Sequence, residues 1–179
     1  MLYAFGFERV GVLVSDLYIV LPDPAPGHEG AEHGVRLEVR LLERGELPPT
    51  SSTARSIAVG EPVWRADLLE SVDGPAGSFD RAHHHPAFRD WEPGRRVFDQ
   101  SLKADPVQFV GEQLSDLEGL LDRAGFADDK EAAADAESLR RSVPEIVDTV
   151  KRLLARVRSG DLAAAPAGQP LVPARVGWL

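Results

Sequence analysis

The sequence contains no cysteine among its 179 residues. That absence excludes disulfide frameworks, thiolate zinc sites, iron–sulfur clusters and cysteine nucleophiles together. It favours a reducing environment, so the predicted localisation is cytoplasmic. Any metal ion would have to be held by imidazole and carboxylate groups.

Long hydrophobic runs are missing as well. No apolar stretch approaches the roughly 20 residues that a membrane-spanning helix needs, and no basic segment precedes an apolar one at the N-terminus. A secretory leader would have both features. We therefore expect neither secretion nor membrane insertion.

Positive charge is the third deficit, because 20 Lys and Arg residues face 29 Asp and Glu residues, for a formal net charge of −9. An overall negative field opposes non-specific binding to nucleic acid and to anionic membranes. We expect no membrane partner and regard nucleic acid as a poor candidate. Any small-molecule ligand stays open.

What is present is the composition of an ordinary globular chain, with 43% apolar and 27% charged residues. A chain of this length removes roughly 70% of its unfolded surface from water. Its core therefore needs neither a disulfide nor a metal ion in order to fold.

The first half of the chain carries strand patterns. Apolar residues alternate with charged ones most clearly at 35–41, which predicts a strand with one buried face. The intervals between strands are too short for the crossover helices of parallel pairing, which predicts an antiparallel, meander-like sheet of five or six strands. The five runs lie at residues 10–14, 17–21 (after a turn at Ser15 and Asp16), 35–41, 55–59 and 62–70, and the segment 79–85 is an extended loop or a sixth strand.

From residue 105 the apolar period becomes helical. Asp105 suits the N-cap, Pro106 the first helical position and Gln108 a capping-box partner, and Gly125 suits the C-terminal stop. A single helix is predicted between Asp105 and Gly125. A second helical region begins near residue 128, and Pro144 should break or kink it.

The fold class is therefore α+β, in which a helical hairpin and an extended C-terminal arm follow the sheet. We divide the chain into an α+β domain, a second helical region and a Pro- and Ala-rich tail that ends in Trp178 and Leu179. An exposed Trp-Leu end is costly unless it docks within the chain or on a partner, and the sequence does not choose. The three segments span residues 1–126, 127–160 and 161–179.

The histidine run, His83 to His85, is the segment with most chemical potential. Pro86 favours an extended backbone before it, so His83 and His85 should project from one face and His84 from the other. Such a pair supplies two imidazole nitrogens to zinc or another divalent transition metal. With Asp67 as the chosen third ligand this forms the predicted metal site, for which Glu70, Asp73, Asp80, His28 and His33 are the alternatives.

Two further interpretations of the run stay open. In the first, which needs no metal, one of the histidines is a general base, with His84 as the choice, and Asp80 or Asp67 orients it. Arg81, with Arg89, Arg95 and Arg96 as alternatives, stabilises an anion, as phosphodiester or carboxylate chemistry would require. In the second, these side chains form a solvated, hydrogen-bonded loop. Nearby Trp91 is a candidate pocket wall, whereas Trp64 alternates with core positions and should be buried in the sheet.

Four segments of the sequence, at residues 35–43, 64–70, 79–86 and 91–96, together resemble a family of small actinobacterial proteins to which no activity is assigned. The resemblance extends over residues 1–125 and implies no reaction. A second, shorter resemblance is to toxin-type proteins of bacterial toxin–antitoxin pairs, through Asp80, His84, His85 and Pro86.

Two function classes follow from the sequence. The first is a His-centred site at His83 to His85, either metal-binding or hydrolytic. The second is a non-enzymatic interaction module, or a homodimer, that uses the helical hairpin and the C-terminal arm. The first expects His83 and His85 to converge with an acidic residue, whereas the second expects them to splay into solvent.

Overall fold

A computed structural model of the chain describes residues 1–21, 23–24, 26–45 and 57–165. Within them, seven strands precede five helices. The strands are β1 (Leu2–Gly6), β2 (Val10–Val20), β3 (Ala31–Arg44), β4 (Ile57–Ser71), β5 (His83–His85), β6 (Phe88–Arg89) and β7 (Glu92–Pro93). The helices are α1 (Gln100–Ala104), α2 (Pro106–Ser115), α3 (Leu117–Ala124), α4 (Lys130–Ala134) and α5 (Ala136–Arg158).

Strands β1 to β5 form one antiparallel sheet in the order β1-β2-β3-β4-β5, and β6 and β7 form a separate two-stranded hairpin. Each strand of the large sheet pairs with the next one in sequence. The predicted α+β class, with an antiparallel meander followed by helices, is confirmed.

The strand boundaries differ from the prediction. The predicted turn at Ser15 and Asp16 is wrong, because these residues pair with Arg36 and Val35 inside the unbroken strand β2. The short edge strand β1 was not predicted at all. The runs that flank Pro62 are likewise one strand, and the register shifts beside Pro62 supply the irregularity that a proline needs inside a sheet. Residues 55 and 56 lie outside the described residues.

The two faces of the sheet differ in chemistry. Val35, Leu37 and Val39 are fully buried on the face that packs against the helices, and Trp64 is 1% exposed there, as predicted. The intervening positions carry charged side chains, so that the opposite face is polar. We call this second side the charged face, and it holds Arg36, Glu38, Arg40, Arg65 and Asp67.

The predicted single helix between Asp105 and Gly125 is two helices. Asp105 caps α2 by accepting a hydrogen bond from the Gln108 amide (2.9 Å), and Gly125 ends α3 with a φ of 87°, both as predicted. Asp116 interrupts the helix because its carboxylate accepts from the Gly119 amide and starts a new N-terminus. The Gln108 side chain donates to Glu112 and closes no capping box.

Helix α5 runs through Pro144 without ending there. It packs on α2 and on strands β2 and β3, so its apolar stripe is buried within the chain. A homodimer through that stripe stays a prediction. The tail from residue 166 onward, with Trp178 and Leu179, lies outside the described residues.

A buried carboxylate ties the sheet to the helices. Asp135, which lies between α4 and α5, accepts hydrogen bonds from the backbone amides of Glu8 (3.2 Å), Arg9 (2.7 Å) and Val10 (2.8 Å). These amides belong to the β1–β2 turn and the start of β2. Asp135 is 5% exposed and therefore fixes this turn against the helical layer.

Candidate metal centre

The candidate site lies on the charged face, where β4 and β5 run side by side. Asp67 pairs directly with His83, and Arg65 pairs with His85. Because side chains alternate along a strand, Asp67, His83 and His85 share one face. The structure therefore brings together the three residues that the sequence proposed as metal ligands.

The three side chains converge on one point. Asp67 Oδ2 lies 3.4 Å from His83 Nε2 and 3.8 Å from His85 Nε2. In a tetrahedral zinc site with bonds of about 2.0–2.1 Å, neighbouring ligand atoms stand about 3.3–3.4 Å apart. All three residues are at most 3% exposed, and this buried cluster could hold a metal ion.

Both histidine rings are oriented by the backbone. His83 Nδ1 lies 2.8 Å from the Arg81 carbonyl oxygen, and His85 Nδ1 lies 2.8 Å from the Gly94 carbonyl oxygen. A carbonyl only accepts, so each Nδ1 carries a proton, and the tautomer that can bind a metal ion has its lone pair on Nε2. Metal-binding imidazoles are commonly held in this way.

His83 Nε2 has unused bonding capacity. It is buried and has no hydrogen-bond partner among the described residues, because Asp67 lies at ion-pair distance without hydrogen-bond geometry. Burial of a polar atom without a partner is unfavourable. A metal ion between the rings would satisfy it.

Two arginines flank the carboxylate. Arg36 Nε lies 2.6 Å from Asp67 Oδ1, and Arg65 Nε lies 3.1 Å from Asp67 Oδ2. Burial alone would raise the pKa of Asp67, but the positive charges of Arg36 and Arg65 hold it well below its usual range. Asp67 is therefore ionised at neutral pH and able to bind a cation.

Arg65 also contacts a candidate ligand atom, since its Nη2 lies 3.0 Å from His85 Nε2. Burial and the positive charge of Arg65 lower the pKa of His85 to about 4. His85 is thus neutral at neutral pH, and its lone pair accepts the Arg65 hydrogen bond. Burial likewise lowers the pKa of His84.

The segment between β5 and α1 covers the cluster. The Phe88 ring stacks on the Arg65 guanidinium at 5.8 Å, and the Phe98 ring lies 5.5 Å from the His83 ring. Gly94 approaches the Ala87 carbonyl so closely that a Cβ would lie 2.7 Å from its oxygen. Trp91, predicted as a pocket wall, is 46% exposed at the hairpin turn and lies against Arg40.

The predicted catalytic residues His84, Asp80 and Arg81 have the following contacts. His84 lies on the core face, where its Nδ1 is 3.3 Å from Trp64 Nε1 and its ring is 5.3 Å from that of Phe109. Asp80 pairs with Arg81 (3.3 Å). No described contact joins either residue to His84, so the metal-free catalytic role stays a prediction.

Two of the alternative third ligands form contacts elsewhere. Glu70 pairs with Arg158 in α5, and Asp80 accepts hydrogen bonds from the Ser71 amide and the Ser78 hydroxyl. Sequence reasoning missed Arg36 and Arg65. The only signal for these arginines was that they alternate with core residues along their strands. That pattern normally indicates residues that face solvent, so it did not point to a buried site.

No protein-family model matches this chain, and neither a curated protein nor a solved structure matches it. Among the described residues, no helix combines the length and the apolar character needed to span a membrane. The site's own geometry therefore carries the functional argument.

Proposed function

We propose that this protein binds one divalent transition-metal ion, with zinc as the first candidate, through Asp67 Oδ2, His83 Nε2 and His85 Nε2. The observation that carries the proposal is the convergence of two Nε2 atoms on one carboxylate oxygen, with both Nδ1 atoms committed to backbone carbonyls. The buried, unpartnered His83 Nε2 supports the same conclusion.

The donor set favours zinc and its neighbours over magnesium or calcium. Two imidazole nitrogens and one carboxylate oxygen suit zinc, copper, nickel and iron, whereas the alkaline-earth ions prefer an all-oxygen site. Three protein ligands leave the fourth position of a tetrahedral ion open, as in catalytic zinc sites. Water bound to zinc at this fourth position has a pKa of about 7, which would support the hydrolytic activity that the sequence suggests.

The test is metal analysis of the tag-free full chain, purified without chelator, loaded with zinc and exchanged into metal-free buffer. We expect about one zinc ion per chain. The variant His83→Ala/His85→Ala should lose affinity by at least about tenfold, because it removes two of three ligands.

His33→Ala is the matched control. His33 lies in β3 on the face that does not carry the cluster, so its loss should leave zinc content unchanged. Circular dichroism must show that each variant is folded. Wild-type protein that retains no zinc, or a double variant that retains as much as the wild type, would refute the proposal.

A further inference from the structure

We infer that the metal-loaded site takes a small oxyanion, a carboxylate or a phosphate, as an additional metal ligand, and that Arg65 holds this anion. The inference rests on the proposed metal site. It assigns the ligand class to the open coordination position and a binding role to Arg65.

Charge balance is the first argument. Ion pairs link Arg36 to Asp67, Asp67 to Arg65, Arg65 to Glu38 and Glu38 to Arg40 across the charged face. Three positive and two negative groups give this chain of ion pairs a formal charge of +1. Their side chains are only 2–15% exposed. A divalent ion raises the formal charge to +3, which is costly in a buried place unless an anion enters with it.

The bonding state of Arg65 is the second argument. Its Nη2 donates to His85 Nε2 at 3.0 Å, the atom whose lone pair a metal ion would take. Its Nε lies beside Asp67 Oδ2, at 3.1 Å, and can stay there when that oxygen binds a metal ion. Metal binding at His85 would therefore leave Nη2 without its acceptor. An oxygen of a metal-bound carboxylate or phosphate would replace that acceptor with a charge-assisted hydrogen bond.

Position and size are the third argument. Arg65 Nη2 lies 3.0 Å from His85 Nε2, so an anion that accepts a hydrogen bond from Nη2 would stand beside the metal ion. Phe88 covers the guanidinium, and Asp67, His83 and His85 are almost inaccessible to solvent. The site therefore selects anions of few atoms, such as acetate or inorganic phosphate, over bulky ones.

The experiment uses the full chain loaded with Co²⁺, whose visible absorption reports changes in coordination. Co²⁺ is first bound in a Hepes buffer free of carboxylate and phosphate, and acetate and phosphate are then titrated in separate arms. We expect each effective anion to change the Co²⁺ spectrum with saturation. We also expect it to tighten Co²⁺ binding, because linkage between two ligands is reciprocal.

Arg65→Lys keeps the charge but removes the Nη2 donor, so it should weaken anion binding by about tenfold or more. Arg89→Gln is the matched control, since Arg89 is an exposed arginine of β6, and it should bind as the wild type does. If Arg65→Lys does not fold, the tightening of Co²⁺ binding by the anion in the wild type decides whether the anion is a metal ligand, and Arg65→Gln replaces Arg65→Lys in the test of Arg65.

The possible failures are distinct. A wild type that binds no Co²⁺ in any buffer overturns the metal site and this inference with it. A wild type that binds Co²⁺ with unchanged spectrum and affinity in both anion arms overturns the oxyanion ligand and leaves the metal site standing. Equal anion affinities in wild type and Arg65→Lys overturn the role of Arg65.

Discussion

Two buried carboxylates, Asp67 and Asp135, are held in different ways. Asp135 accepts three backbone hydrogen bonds, whereas Asp67 is contacted by the side chains of Arg36, Arg65 and His83. Backbone amides are fixed by the fold, but side chains can rotate away and accept new partners. By this comparison, Asp135 has a structural role. Asp67 is the carboxylate whose side-chain partners can move away when a ligand binds.

The largest expected effect is on stability at Asp135. Asp135→Ala leaves the Glu8, Arg9 and Val10 amides without their acceptor, and we expect the free energy of unfolding to fall by about 3–5 kcal/mol. Urea denaturation measures this loss. Asp128→Ala, which replaces an exposed aspartate before α4, is the control and should change stability by less than about 0.5 kcal/mol. A loss at Asp135 no larger than that of the control would remove its structural assignment.

The fold that Asp135 secures was largely predictable. Alternation at 35–41 identified the central strand, and the caps at Asp105 and Gly125 identified the two outer ends of the α2–α3 region. The sequence could not identify Asp135 as a partner of the β1–β2 turn. Its contacts join residues separated by more than 120 positions, and local patterns carry no record of such distant pairing.

The candidate site was predictable in part. The extended backbone expected before Pro86 correctly predicts that His83 and His85 share one face. Asp67, the predicted third ligand, pairs with His83 on the neighbouring strand. The cover over the charged face could not be predicted. Its two-residue turn consists of Asp90 and Trp91 with φ values of 50° and 73°, where asparagine or glycine normally signals a hairpin. Without that signal, Arg36 and Arg65 have the pattern of solvent-facing residues.

The second expected effect separates the two carboxylates by their response to metal. Zinc at about 100 times its dissociation constant should stabilise the wild type by about 2.7 kcal/mol, which corresponds to roughly 5–10 °C in Tm. Asp135→Asn should be less stable than the wild type and should still show the zinc-induced rise. Asp67→Asn should show little or none, because amide oxygen is a weaker zinc ligand than carboxylate.

Differential scanning calorimetry with zinc and with EDTA measures both shifts. A zinc-induced rise of wild-type size in Asp67→Asn would show that Asp67 is no ligand. The absence of a rise in Asp135→Asn, if its circular dichroism spectrum is native, would show that the two carboxylates are coupled and that the comparison fails.

The smallest expected effect is the pH dependence of stability that arises from His85, which lies beside Asp67. His85 has a folded pKa of about 4 against a reference value of 6.5, owing to burial and the charge of Arg65. Above the reference value the ring is neutral in both states. As the pH falls from 6.5 toward 4, the unfolded chain binds a proton that the folded chain does not, so metal-free stability decreases. The titration of His85 should lower the free energy of unfolding of the metal-free protein by about 1–3 kcal/mol.

His85→Gln removes this titration, and the test is the difference between the two proteins. Urea denaturation in EDTA at several pH values between 4 and 7 gives each protein's free energy of unfolding. Groups that titrate in both proteins cancel, so the stability of the wild type relative to His85→Gln should fall with decreasing pH across this window. A difference that stays constant would mean that the His85 ring is no harder to protonate in the folded protein than in the unfolded chain. In that case, burial and the Arg65 contact would not be what keeps the His85 ring neutral and its Nε2 lone pair available to a metal ion.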